Sequence, residues 1–120
     1  MKDVIKYKNF FGTVHYSTEN EVFFGKIEGI KDLVTFEGKS VKEIKKSFME
    51  AVEDYIELCQ NNGIDPFKSF KGSFNVRIKP EIHKLAFQLA TMKGQTLNQF
   101  VQEAISHEIT KEKKQLEIGE

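Results

Sequence analysis

Residues 73–80 read Ser-Phe-Asn-Val-Arg-Ile-Lys-Pro, and apolar and polar side chains alternate strictly until the proline. A period of two marks a β-strand with one buried face. Phe74, Val76 and Ile78 lie on one side; Ser73, Asn75, Arg77 and Lys79 lie on the other. Beyond the strand the pattern turns helical. Pro80 suits the first turn of a helix. Ile82, Leu85, Ala86 and Leu89 form a stripe, and Gly94 is a stop signal. Thr96 and Gln99 make a capping box that opens a second helix, with Leu97, Phe100, Val101, Ala104, Ile105 and Ile109 as its apolar positions. One strand and two helices, about fifty residues in all, leave the strand without a ladder partner and bury too little surface. Pairing with the same strand of a second copy answers both needs. The expected product is a two-stranded antiparallel ribbon over four helices on a twofold axis, with Phe74, Val76 and Ile78 in the dimer core. The charged tail from about residue 111 is expected to fray.

Such a ribbon fits the major groove of DNA, and its polar face is chemically suited to reading bases. Arginine bonds bidentately to guanine, asparagine to adenine, and serine to several base edges. Ser73, Asn75 and Arg77 are therefore candidate base contacts. Lys79 is a candidate phosphate contact. Thr96, Leu97 and Asn98 join it, because a capped helix start offers free N–H groups to an anion. Between residues 72 and 95, Arg77, Lys79, Lys84 and Lys93 oppose the single acid Glu81, whereas the whole chain is neutral, with 18 basic and 18 acidic residues. A globally basic nucleic-acid coat is excluded; a local patch is not.

The first half has a different pattern. Residues 4–37 are rich in β-branched and aromatic types, with polar residues 17–21 separating two runs as in a hairpin. A third run, residues 33–36, completes an expected three-stranded meander. Ser40 and Glu43 form a capping box for a helix over residues 40–62, whose apolar stripe is Val41, Ile44, Phe48, Val52, Tyr55 and Cys59. Gly63 is free to take the left-handed conformation that ends it. The expected architecture is α+β: a βββα unit over residues 1–65, a linker over 66–72, and the strand–helix–helix unit over 73–120.

Several functions find no residues to carry them. His15, His83 and His107 lack ligand spacing, so no metal and no cofactor is expected. Cys59 sits on the apolar stripe with no base nearby and reads as a buried hydrophobe. Phe23, Phe24 and Phe36 read as core. Residues 4–17 hold no Asp or Glu, and Glu28, Asp32 and Glu37 share no strand face. That pattern argues against two-metal phosphodiester cleavage and for a chain that is not an enzyme. No apolar run approaches the ~20 residues of a membrane span, and residues 1–8 do not read as a signal peptide. A cytoplasmic protein without membrane contact is expected.

Residues 73–80, the Gly94 stop and Thr96-Leu97-Asn98 together resemble the ribbon-helix-helix repressors of the Arc and MetJ kind. Residues 12–17, 22–30, 32–38, 40–43 and 48–55 resemble the N-terminal domain of HicB-family antitoxins, one branch of which ends in a ribbon-helix-helix. Where many relatives carry a proline-rich turn, this chain has Gly29-Ile30-Lys31-Asp32-Leu33-Val34. The resemblance implies a partial RNase H-like N-terminal domain that binds a HicA-like toxin, a small mRNA-cleaving protein, and a homodimeric C-terminal domain that binds operator DNA. Higher oligomers are left open. Glu19, Glu21, Glu28 and Glu37 are candidate contacts to a basic toxin. The alternative is a stand-alone regulator whose N-terminal domain senses a ligand or another protein.

Overall fold

The computed structural model describes residues 3–113. Four strands, β1 (Val4–Tyr7), β2 (Phe10–Ser17), β3 (Val22–Glu28) and β4 (Thr35–Gly38), precede three helices, α1 (Val41–Asn61), α2 (Pro80–Met92) and α3 (Leu97–Glu112). The sheet is antiparallel throughout, in the order β1-β2-β3-β4. The chain divides into two compact units between Gly72 and Ser73.

The meander has one strand more than the pattern suggests. Lys8 and Asn9 both take positive φ, 50° and 68°, and form the tight two-residue loop that matches strand twist. They fold Val4–Tyr7 back so that Tyr7 faces Phe10. Sequence patterning misses this loop because no glycine marks it. The last strand is displaced from the expected run. Leu33 lies outside it and is exposed, and the ladder resumes at Thr35 opposite Lys26. Gly29, at φ 78°, turns the chain out of β3 before it can pair directly.

One face of the sheet carries α1. Phe10, Ile27 and Phe36 from the strands meet Ile44, Phe48, Val52, Tyr55 and Cys59 from the helix. Five of the six residues expected along the α1 stripe are buried; Val41, in the first turn, is exposed. Phe48 reaches the sheet because Gly12 lies under it. A Cβ on Gly12 would sit 2.7 Å from the Phe48 ring and 2.9 Å from that of Phe36. Ser40 accepts a hydrogen bond from the Glu43 N–H, while the Glu43 carboxylate reaches the N–H of Lys39, one residue beyond the expected partner. At the other end Gly63, at φ 62°, gives the paired bonds Ile64 N–H to Cys59 O and Gly63 N–H to Gln60 O.

Residues 66–72, the expected linker, are docked on the first unit at Phe67. The Phe67 ring packs 4.9 Å from that of Phe10, and Phe67 joins the edge of the first unit's core. In the second unit α2 begins at Pro80 and is ended by Gly94, at φ 72°. Ala90 is buried there. The α3 helix persists through Glu112, past the point where fraying was expected; residues 114–120 lie outside the described residues.

Candidate nucleic-acid interface

The seven alternating residues do not form a strand within one chain. Residues 73–79 carry no strand assignment, and among the described residues 73–78 no backbone group makes an intrachain hydrogen bond. The expected strand is one that pairs with a second copy, and among the described residues of the single chain it has no partner. A ladder needs two partners, and among the described residues of the second unit none forms a second strand. All seven side chains are exposed. For Phe74, Val76 and Ile78 the fractions are 72%, 63% and 48%. Lys79 closes the segment with extended dihedrals (φ −65°, ψ 144°), and its carbonyl accepts the N–H of His83, the first bond of α2.

The helices carry the same uncovered apolar surface. Ile82, Leu85 and Leu89 of α2, and Val101, Ile105 and Ile109 of α3, are exposed. Leu97 and Phe100 are half-buried. Phe87 and Met92 are also exposed and lie outside the stripe read from spacing. No periodic signal could have found Phe87, which sits on another side of α2.

The α3 start is built as its sequence suggests. Thr96 Oγ1 accepts the Gln99 N–H at 3.1 Å, and Gln99 Oε1 accepts the Thr96 N–H at 2.9 Å. The first helical bond runs from the Phe100 N–H to the Thr96 carbonyl. Two backbone donors therefore remain unspent in the first turn, those of Leu97 and Asn98. Thr96 has only its hydroxyl hydrogen left to offer. Lys93 stands over the Phe100 ring, 5.7 Å from its centroid, beside this helix start.

In the first unit, among the described residues, no other helix or strand covers the sheet face away from α1. His15 and Phe24 stack there at 5.5 Å. Phe24 is thus on the open face, not in the expected core, because its register partners are His15 and Glu37. Glu37 is exposed on this face. Glu28 is half-buried and accepts a hydrogen bond from Thr13 Oγ1 at 3.0 Å. Glu19 and Glu21 are exposed in the β2–β3 turn. The four acidic candidates therefore divide between one sheet face and one turn, and Glu28 and Glu37 share that face, which corrects the expectation that they would share none.

Two polar contacts join residues too distant in sequence for any spacing argument. The buried Tyr55 donates to Asp32 Oδ2 at 2.9 Å, tying the β3–β4 connection to α1. Burial, and then the Asp32 carboxylate, push its hydroxyl pKa up. Glu53 Oε2 accepts from the Tyr7 hydroxyl and from Lys8 Nζ, the latter at 2.7 Å. Lys8, followed by Tyr7, holds the Glu53 carboxyl below its ordinary range. Among the described residues no three His, Cys, Asp or Glu side chains group as a metal site. No described helix is long and apolar enough to cross a membrane.

The chain is thus an α+β protein: a four-stranded antiparallel sheet followed by three helices. A sequence model of the HicB family matches residues 55–105, from the last turns of α1 through α2 into α3. The match covers the unpaired segment and both of its Gly94 and Thr96 signals, and it leaves β1–β4 outside. No curated protein and no solved structure matches the chain significantly.

Proposed function

We propose that this protein is a HicB-type antitoxin that binds its own operator as a homodimer and neutralises a HicA-like toxin. The observation that carries the reading is the segment 73–79. Its residues 73–78 make no backbone hydrogen bond in their own chain, and it is flanked by exposed apolar stripes on α2 and α3. A second copy supplies the missing ladder and covers Phe74, Val76 and Ile78. Ser73, Asn75 and Arg77 then stand twice on the outer face of one ribbon, as base contacts in a major groove. The N–H groups of Leu97 and Asn98, the Thr96 hydroxyl and Lys79 hold the flanking phosphates. The likeness to the HicB family over residues 55–105 supports the antitoxin role and its toxin partner. In this reading the chain acts by binding and carries out no chemistry.

An electrophoretic shift with the protein's own upstream DNA, at fixed salt, tests the reading. Arg77→Ala is expected to weaken specific binding by ~1–3 kcal/mol while leaving the dimer intact. Operator affinity unchanged by that substitution refutes Arg77 as a reader. The match begins only at Tyr55, which favours one second reading: a regulator whose N-terminal unit senses something other than a toxin. Failure of a neighbouring small basic protein to bind residues of the first unit would select it.

A further inference from the structure

Asn62 alone among the asparagines of the sequence is followed by glycine. Asparagine is a chemically labile residue, and it loses ammonia most readily before glycine, whose nitrogen meets no side chain on its way to the asparagine Cγ. The pair is exposed, and a Cβ on Gly63 would meet nothing within 4 Å, so base and water reach it.

The helix stop nevertheless holds the reacting atoms apart. Asn62 Nδ2 donates to the Leu58 carbonyl at 2.8 Å, which draws the side chain back along α1. The Gly63 N–H donates to Gln60 O at 3.3 Å. The Asn62 backbone, at ψ 6°, turns the Gly63 nitrogen away from the side chain, whereas ring closure needs that nitrogen on the Cβ side. Rotating ψ to bring it round also breaks the bond from the Ile64 N–H to Cys59 O. The same turn delivers Phe67, whose N–H is held by Asp65 Oδ1 and whose ring packs 4.9 Å from that of Phe10. Phe70 stacks on Phe67 in turn.

We propose that Asn62 is a site of spontaneous deamidation gated by opening of this helix stop, and that conversion releases the docked residues 64–70. In the open stop the Gly63 amide nitrogen gives its proton to base and bonds to Asn62 Cγ. The Cγ–Nδ2 bond breaks and ammonia leaves. Water then opens the cyclic imide. Cleavage between the nitrogen and Cγ leaves aspartate. Cleavage between the nitrogen and the main-chain carbonyl leaves isoaspartate, whose main chain runs through Cβ and Cγ. Either product has lost the donor to Leu58 O and carries a carboxylate at the negative end of α1, where the last turn holds no base. Isoaspartate also adds a methylene to the main chain inside the turn, so the Ile64–Cys59 and Gly63–Gln60 bonds no longer fit. Neither operator nor toxin contact takes part in this chemistry.

Peptide-level mass spectrometry of the full chain, aged at mildly alkaline pH in buffer and in urea, tests this, with electron-transfer fragmentation to separate aspartate from isoaspartate. Conversion is expected at Asn62 before any other asparagine. It is expected to run about tenfold slower in buffer than in urea, because two hydrogen bonds of ordinary strength must open first. Phe67→Ala lies away from the reacting atoms and loosens the docking, so it is expected to speed conversion severalfold in buffer and not at all in urea. Asn62→Gln, whose longer side chain closes a ring far more slowly, is expected to abolish conversion. In hydrogen exchange the Ile64 and Phe67 N–H groups of the converted fraction are expected to lose protection. Equal rates in buffer and urea overturn the gate, as does Phe67→Ala converting at the wild-type rate. Conversion of another asparagine first, or an Asn62 that stays intact in buffer, overturns the site. Unchanged protection in the converted fraction overturns the release.

Discussion

Val76→Ala separates dimerisation from DNA contact most cleanly, and its size can be worked from the structure. The substitution removes two methyl groups, each worth ~0.8 kcal/mol when taken out of water. In the single chain 63% of Val76 is exposed, so that fraction remains to be buried by a partner. The loss is therefore ~1 kcal/mol per protomer. Twofold symmetry doubles it to ~2 kcal/mol, about a thirtyfold weaker dimer. A residual cavity in the shared core would add to this. Sedimentation equilibrium over a range of protein concentrations, at fixed salt, reads the dissociation constant directly. Asn75→Ala is the control: it lies on the opposite face and should leave that constant unchanged while weakening operator binding. A dissociation constant for Val76→Ala within twofold of wild type would refute the argument that this face closes a dimer core.

Other substitutions probe the scaffold. Gly25→Ala places a Cβ 1.7 Å from the Thr13 carbonyl oxygen across the β2–β3 ladder, so the strands must part. A loss of ~1–3 kcal/mol in denaturant unfolding of the first unit is expected, and wild-type stability would show the close approach to be soft. Thr96→Ala removes the acceptor of the Gln99 N–H and should cost ~1 kcal/mol of helix stability, measured by far-UV circular dichroism on melting. Tyr55→Phe leaves Asp32 without its donor at ~1 kcal/mol, read as a shifted urea midpoint with unchanged slope. The depressed Glu53 carboxyl binds its proton less readily folded than unfolded. Its contribution is present above the ordinary glutamate pKa and is lost as pH falls through the lower folded value. Glu53→Gln should remove that part of the acid-limb dependence in a pH series of melts.

Local signals are legible wherever a single segment carries its own instructions. The Thr96–Gln99 box, the Gly63 and Gly94 stops and the Pro80 start appear where their chemistry places them. The stripe from Ile44 to Cys59 is buried because a period near 3.6 leaves a helix one face to hide. What escapes the sequence depends on relations between segments. The Lys8-Asn9 loop lacks the glycine that usually advertises such a turn, so β1 merges into a longer run in the pattern. Phe24 has the composition of core, but its register with His15 and Glu37 decides its face, and register is not a local property. The candidate site itself is legible in composition and order alone, since in the proposed dimer its geometry comes from a second chain.

That dependence links two properties carried by one segment. In the proposed dimer Ser73, Asn75 and Arg77 acquire a fixed face only when Phe74, Val76 and Ile78 are covered, because alternate side chains on one backbone are oriented by the same ladder. Base readout is then conditional on association. Operator occupancy should rise with the square of protein concentration below the dimer constant and linearly above it. Val76→Ala, which touches no base, should move that crossover to about thirtyfold higher concentration. Arg77→Ala should leave the crossover in place and lower occupancy on both sides of it. A shift titration that tracks both variants across the crossover distinguishes a residue that builds the ribbon from one that reads with it. Equal effects of the two on the shape of the curve would refute the division of faces.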